Sequence, residues 1–276
     1  MSRLSPRIRK HYDLLAPIYY LLWGQHVHHG YWDDTNDTTV AKFAQERLLK
    51  ELYAFADEPK VEQMLDIGCG YGGTLRWFAT RHGVKGMGIT LSPAQHFIAS
   101  LKNRLEGHTG ALDVRVADAQ QAWDIAPESV DLVWCMECSE HLSDRLHLQR
   151  EAYRVLKPGG SFCLAAWLAS PDESASAKQL REEVERGMLC YPFATVKEYQ
   201  EQAVKASFEG IKTKIVTENV LRTWDLSIER RDHPIASGLS RLLGSDVSAF
   251  TKSFDDLRQA YLEGAMDYGF MVARKP

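Results

Sequence analysis

The segment Leu65-Asp66-Ile67-Gly68-Cys69-Gly70-Tyr71-Gly72-Gly73 constrains the fold more than any other part of the chain. A short apolar run, Gln63 to Ile67, ends in glycines at G-x-G-x-G-G spacing, and a stretch of helical character follows to about Arg81. Glycine lets a backbone turn sharply and approach a ligand closely. A strand, a glycine turn and a helix in that order read as one unit of a nucleoside-binding α/β sheet.

The alternation continues. Lys85 to Thr90 reads as a second strand, and Pro93 starts a helix to about Leu105, proline being favoured at a first helical position. Leu112 to Ala117 and Val130 to Met136 read as strands three and four. Asp144 to Leu156 reads as a helix stopped at Pro158-Gly159-Gly160, with Ser161 to Trp167 as the fifth strand. Strands separated by helices imply right-handed crossovers and a largely parallel sheet, with ligands at the carboxyl ends of the strands.

The flanks read differently. Residues 1 to about 60 are helical in spacing, with an apolar stripe at Leu48, Leu49, Leu52, Tyr53 and Phe55, except for the aromatic and imidazole-rich loop His26 to Asp34. Beyond Trp167, Ser174 to Gly187 and Thr195 to Ala206 read as surface helices and Ile211 to Thr217 as a strand. Residues 225 to about 262 read as helical, broken near Pro234, and Met266 to Ala273 as a last strand. One domain over 1–276 is expected: an N-terminal helical cap (1–60), a cofactor-binding core (61–167), and lid helices with the last strands (168–276).

Bulk properties narrow the partners. The chain has 276 residues, 45% hydrophobic and 25% charged, and a net charge of −4. Acids and bases are interspersed, which argues against nucleic acid as partner and leaves a small-molecule acceptor. The five cysteines, Cys69, Cys135, Cys138, Cys163 and Cys190, are expected as reduced thiols, and Cys135-x-x-Cys138 lacks a second pair at zinc spacing, so no metal is expected. Leu14 to Trp23 is broken by Pro17 and too short to span a bilayer, so no integral membrane segment and a cytoplasmic location are expected. Homo-oligomerisation stays open.

Four segments carry chemistry. Asp66 sits just before the first glycine; it would repel a pyrophosphate but could hold an ammonium, directly or through water. S-adenosyl-L-methionine offers an amino acid end, a sulfonium and an adenosine, and no phosphate. Thr90 stands where nucleoside-binding folds usually place an acid on the ribose, and Thr90 and Gln95 can hydrogen-bond there, although Ser92-Pro93 is also simply a helix start. Asp118, closing the third strand, could accept adenine amino protons or be a plain loop residue. Glu137, Glu140 and His141 follow the fourth strand; they could deprotonate an acceptor or stabilise a cation, or Glu140 could cap a helix beside a structural His141. Aromatic faces at Tyr12, Tyr31 and Trp32 could attract a sulfonium or pack as a lid, and the bland reading is helix packing.

At these residues the chain resembles the class I S-adenosylmethionine-dependent methyltransferases, over about Tyr12 to Lys275. LDIGCGYGG and Arg154-Val155-Leu156-Lys157-Pro158-Gly159-Gly160 carry that resemblance. Within the superfamily it looks most like the tocopherol and sterol C-methyltransferase group, through His28-His29-Gly30-Tyr31-Trp32, Gly88 to Gln95, Met136 to His141 and Ala166-Trp167. The resemblance implies a Rossmann-like, doubly wound, seven-stranded, mostly parallel sheet with an antiparallel last strand and a helical C-terminal lid. It implies S-adenosylmethionine against Gly68 and Gly70, with Thr90, Leu91 and Gln95 around ribose and adenine, Asp118 and Ala119 at the adenine edge, and Met136 and Tyr12 nearby. Glu140 and His141, with Glu137, would face the acceptor as catalytic groups. His29, Tyr31, Trp32 and Trp167 would bind it. The stretch Gln120 to Asp124 departs from the family's proline-containing version, and Asp232 to Ser253 does not follow the tocopherol pattern. The expected activity is methyl transfer to a hydrophobic prenyl, sterol-like, quinol or phenol acceptor, at carbon first. Oxygen or nitrogen methylation is the alternative, followed by a nicotinamide-dependent oxidoreductase and a catalytically silent binding protein.

Overall fold

The sheet grows outward from the glycine loop in both directions, in the order β3-β2-β1-β4-β5-β7-β6. Its strands are β1 (Gln63–Ile67), β2 (Lys85–Thr90), β3 (Leu112–Val116), β4 (Val130–Met136), β5 (Leu156–Ala169), β6 (Glu209–Ile215) and β7 (Met266–Arg274). A computed structural model describes residues 4–34, 36–233 and 245–276. Strands β1 to β5 pair in parallel, and β7 runs antiparallel to both β5 and β6. The strand order reverses between β1 and β4, so the loops leaving their carboxyl ends diverge and open a crevice there.

Helices cover both faces: α1 (Ser5–Trp23), α2 (Ala41–Phe55), α3 (Gly73–His82), α4 (Pro93–Leu105), α5 (Arg145–Val155), α6 (Ala175–Met188), α7 (Val196–Lys205), α8 (Thr217–Val220), α9 (Arg222–Asp232) and α10 (Ser245–Leu262). Strand β4 shows why two layers are needed. Leu132 and Trp134 enter the core under α2 and α3, whereas Val133 and Cys135 enter the core under α5. A strand buried on both faces is a continuous apolar run, which Val130 to Met136 is. The stripe expected on α2 is the buried one: Leu48, Leu49 and Leu52 are fully enclosed.

Several boundaries differ from the sequence reading. Pro158-Gly159-Gly160 lies inside β5, and the helix stops earlier, at Val155. Gly159 takes φ +79° and its N–H bonds to the Lys275 carbonyl, so this turn is tied to the chain just after β7. Thr217 is not the end of β6 but the start of α8, because its hydroxyl donates to Asp267 and accepts the Tyr268 N–H. The long helical stretch is two helices, α9 and α10; the break expected at Pro234 lies outside the described residues. Pro17 does not interrupt α1, which runs through it. All five cysteines are free thiols, four of them buried. No described helix is long and apolar enough to cross a membrane.

Helix α1 lies across the mouth of the crevice, against α4. Asp13 accepts hydrogen bonds from the Ser92 hydroxyl and the Ala94 N–H, at the N-terminus of α4. Tyr71, in the glycine loop, donates its hydroxyl to the Ala16 carbonyl at 2.6 Å. These contacts place Ser5, Ile8 and Tyr12 on the cavity lining.

Candidate active site

The crevice divides into two adjoining cavities. The first is lined by the glycine loop, the carboxyl ends of β1 to β4 and the inner face of α1. Asp66, Gly68, Gly70, Thr90, Leu91, Gln95, Asp118, Ala119, Met136 and Tyr12 all line it, so every residue expected around the cofactor converges on one space. Gly68 and Gly70 serve different needs. A Cβ on Gly68 would sit 2.5 Å from Cys138, whereas a Cβ on Gly70 would have no neighbour nearer than Gln95 Nε2 at 4.0 Å. Gly68 admits a protein side chain, and Gly70 leaves empty room on the cavity side. The Thr90 hydroxyl donates to Gln95 Oε1 at 2.7 Å, which fixes the Gln95 amide. Asp118 accepts from the Gln120 N–H and the Ser5 hydroxyl.

Asp66 is the electrostatic centre of this cavity. It is 3% exposed, and its Oδ2 has no hydrogen-bond partner among the described residues. Burial raises its carboxyl to about 7. A buried, partnerless carboxylate oxygen beside a glycine with open space fits the ammonium end of S-adenosylmethionine.

The second cavity continues past Tyr12, His28, Glu137 and His141, which line both. Its walls are largely aromatic: Tyr19, Trp23, Trp167, Trp224, Phe250 and Phe254. At the junction the Tyr12 hydroxyl lies 3.0 Å from His141 Nε2. His141 Nδ1 lies 3.1 Å from the Leu189 carbonyl, which can only accept, so Nδ1 carries the proton and Nε2 presents its lone pair. Burial lowers the His141 pKa and raises that of the Tyr12 phenol far above its ordinary value.

Two carboxylates behind this pair have opposite characters. Glu137 receives the His29 N–H, His29 Nδ1, the Tyr268 hydroxyl and the Trp167 indole N–H, at 2.8–3.1 Å. Burial opposes its charge, but the His29 ring and these donors hold its pKa down to about 2. It sits at φ +51°, a left-handed conformation that a glutamate adopts only when its surroundings enforce it. Glu140 has one strong donor, the Trp167 N–H at 2.6 Å, and its Oε2 has no partner among the described residues. Burial raises Glu140 to about 8. A neutral-pH base is therefore not Glu137, which is a fixed charge, and Glu140 is predominantly the neutral acid.

Of the residues expected to bind the acceptor, His29 and Trp167 line the second cavity. Tyr31 and Trp32 line neither cavity. Tyr31 packs in the core with the Arg47 guanidinium 5.2 Å from its ring centroid, and the Trp32 indole donates to the Thr39 carbonyl. Their place is structural: they seat the loop between α1 and α2. Phe250 lies in the stretch Asp232 to Ser253, where the sequence departs from the tocopherol pattern and acceptor specificity is expected; the walls supplied by Trp224 and Phe254 lie outside it, and their helical segments give no local sign of which cavity they face.

The fold and this site define an S-adenosylmethionine-binding α/β enzyme, and comparisons give the family. A methyltransferase domain matches residues 65–164. The chain is 31% identical to 27-O-demethylrifamycin SV methyltransferase of Amycolatopsis mediterranei (strain S699), across 100% of both chains. It is 27% identical to the chloroplastic tocopherol O-methyltransferase of Arabidopsis thaliana, over 99% of this chain and 83% of that one. Among solved structures, the [4+2]-cyclase SpnF shares the fold at a TM-score of 0.84 and 23% identity, over 99% of this chain and 96% of that one. The chain belongs to the class I S-adenosylmethionine-dependent methyltransferases, and S-adenosylmethionine is its cofactor.

Proposed function

We propose that the protein transfers a methyl group from S-adenosylmethionine to a hydroxyl of a hydrophobic small molecule held in the aromatic-walled cavity. The observation that carries this reading is the Tyr12–His141 pair at the junction of the two cavities, with the imidazole fixed so that Nε2 accepts. The relatives named for 27-O-demethylrifamycin SV and for tocopherol O-methylation support oxygen over the carbon expected first.

S-adenosylmethionine, when bound, supplies an electrophilic methyl group. Asp66 would take its ammonium, Gly68 and Gly70 the methionine end, Thr90, Leu91 and Gln95 the ribose and adenine, and Asp118 and Ala119 the adenine edge, beside Met136. The chain's own work is then positioning and proton transfer. The acceptor hydroxyl hydrogen-bonds to the Tyr12 oxygen; as it loses its proton to that oxygen, Tyr12 passes its own proton to His141 Nε2. Tyr12 stays neutral, as its raised pKa requires, and His141 ends as imidazolium. Glu137 supplies a fixed negative charge nearby, and the Trp167 side chain, held by its indole N–H on Glu137, forms part of the wall.

Carbon methylation is the second reading. It is favoured by the faces of Trp167, Trp224 and Phe254 around the cavity, which can stabilise a cation. Labelled cofactor offered with phenols, hydroquinones, prenyl diphosphates and amines separates the two. Label on oxygen is released as methyl iodide by hydriodic acid. Label that resists this treatment, on carbon, would overturn the oxygen reading.

A further inference from the structure

The second cavity carries buried polar atoms to which no described residue is a partner. His29 Nε2 and Glu140 Oε2 have none among the described residues, and these residues are 1% and 2% exposed. His28 Nε2 is a third such atom on the same cavity. The Trp224 indole Nε1 on the same cavity is a fourth. Buried polar atoms are nearly always hydrogen-bonded, so four exceptions around one cavity call for a group that enters it.

Proton positions define that group. His28 Nδ1 lies 2.7 Å from the His29 carbonyl, and His29 Nδ1 lies 3.0 Å from the Glu137 carboxylate. Both partners accept only, so each Nδ1 donates its proton to them and each Nε2 is the ring atom left for the cavity. An olefin satisfies neither atom and an ether or a ketone can only accept, whereas a hydroxyl can both donate and accept. Glu140 Oε1 already accepts the Trp167 N–H, and Oε2, on the neutral acid, has a proton to give. A hydroxyl is the small group that can donate to an imidazole and accept from a carboxyl. The remaining walls, Tyr19, Trp23, Trp224 and Phe254, suit an aromatic skeleton.

We propose that the acceptor is a dihydroxylated aromatic molecule of hydroquinone or catechol type. One hydroxyl meets Tyr12 and is methylated; the second is anchored by His29 and Glu140 and stays free, so the product is a monomethyl ether. This rests on the hydroxyl-methylation reading above. It adds that recognition requires a hydroxyl that does not react.

Binding to the full-length protein saturated with S-adenosylhomocysteine tests it, by calorimetry with tert-butylhydroquinone, 4-tert-butylcatechol and 4-tert-butylphenol. At least one diol is expected to bind tenfold or more tighter than the monophenol, and Glu140→Gln and His29→Phe are each expected to shrink that ratio to threefold or less. Wild-type affinities within threefold of each other, or no binding by either diol, would overturn the proposal without recourse to any variant. The position of label from S-adenosylmethionine reports separately on the underlying reading: methylation of the monophenol oxygen with no diol preference removes the anchor alone, whereas tight diol binding with label on carbon removes the hydroxyl reading.

Discussion

A side chain on Gly70 would project into the cavity proposed for the cofactor. Its backbone takes φ +50°, and the space a Cβ would enter is open cavity. Gly70→Val is expected to weaken S-adenosylmethionine binding about 100-fold or more in calorimetry, with the far-ultraviolet dichroism of a folded protein. Asp66 sets a pH dependence. Its carboxyl, raised to about 7, is neutral below that pH and cannot attract an ammonium. Cofactor affinity is therefore expected to be full above pH 7 and to fall about tenfold per unit below it. Calorimetry between pH 5.5 and 8.5 measures this, and a flat wild-type profile would remove the Asp66 assignment. His141→Ala takes away the proposed proton acceptor while leaving the glycine loop intact, so turnover is expected to drop about 100-fold or more with cofactor affinity within threefold. Unchanged turnover would reduce His141 to a packing residue.

At the level of elements, α1 is the part that completes the cofactor cavity. It is held by an apolar cluster of Leu15, Ala16 and Tyr19 against Tyr71, Ala94 and Ile98, and by polar pins: Asp13 on Ser92 and Ala94, and the Ala16 carbonyl on Tyr71. Neighbouring Leu14 is half exposed. Asp13→Ala removes two hydrogen bonds at the start of α4 and is expected to weaken cofactor binding about five- to tenfold, seen mainly as faster release in stopped-flow displacement. An unaltered release rate would mean that α1 stays seated through its aromatic contacts alone. Strand β5 has a matching role on the acceptor side. Trp167, near its end, gives its backbone N–H to Glu140 and its indole N–H to Glu137, so one residue orients both carboxylates.

For the whole molecule, buried carboxyls of opposite character shape the dependence of stability on pH. Asp66 and Glu140 have folded pKa values raised to about 7 and about 8, above those of an unfolded chain. The folded state thus holds more protons, and these two groups erode stability as pH rises from about 4 to 8. Glu137, held at about 2, works in the other direction: its contribution is present above the unfolded carboxyl pKa and is lost as pH falls toward 2. The cofactor-free Asp66→Asn, Glu140→Gln double variant is expected to exceed the wild type by several kcal/mol in denaturant stability at pH 8, with the gap closing near pH 4. A gap that persists at pH 4 would trace the gain to packing instead.

The sequence alone determined the sheet and the glycine loop, and it named residues that the fold gathers at one crevice. These depend on local properties: the apolar runs of β1 and β4, glycines where a turn must approach a ligand, and Ser92-Pro93 at a helix start, whose hydroxyl does cap α4. Every residue expected at the cofactor follows a strand end or lies on α1, so topology alone carries it to the crevice. The acceptor side was decided by tertiary structure. Glu137 is fixed by His29, Tyr268 and Trp167, at sequence separations of 108, 131 and 30, and no local pattern foretells that such a carboxylate is a saturated fixed charge while Glu140 is a neutral acid. The same holds for His29, Tyr31 and Trp32, neighbours in one aromatic segment. Burial turned Tyr31 and Trp32 toward the core beneath α2 and left His29 on the cavity, because solvation and hydrogen-bond saturation are properties of the packed environment and not of the residue.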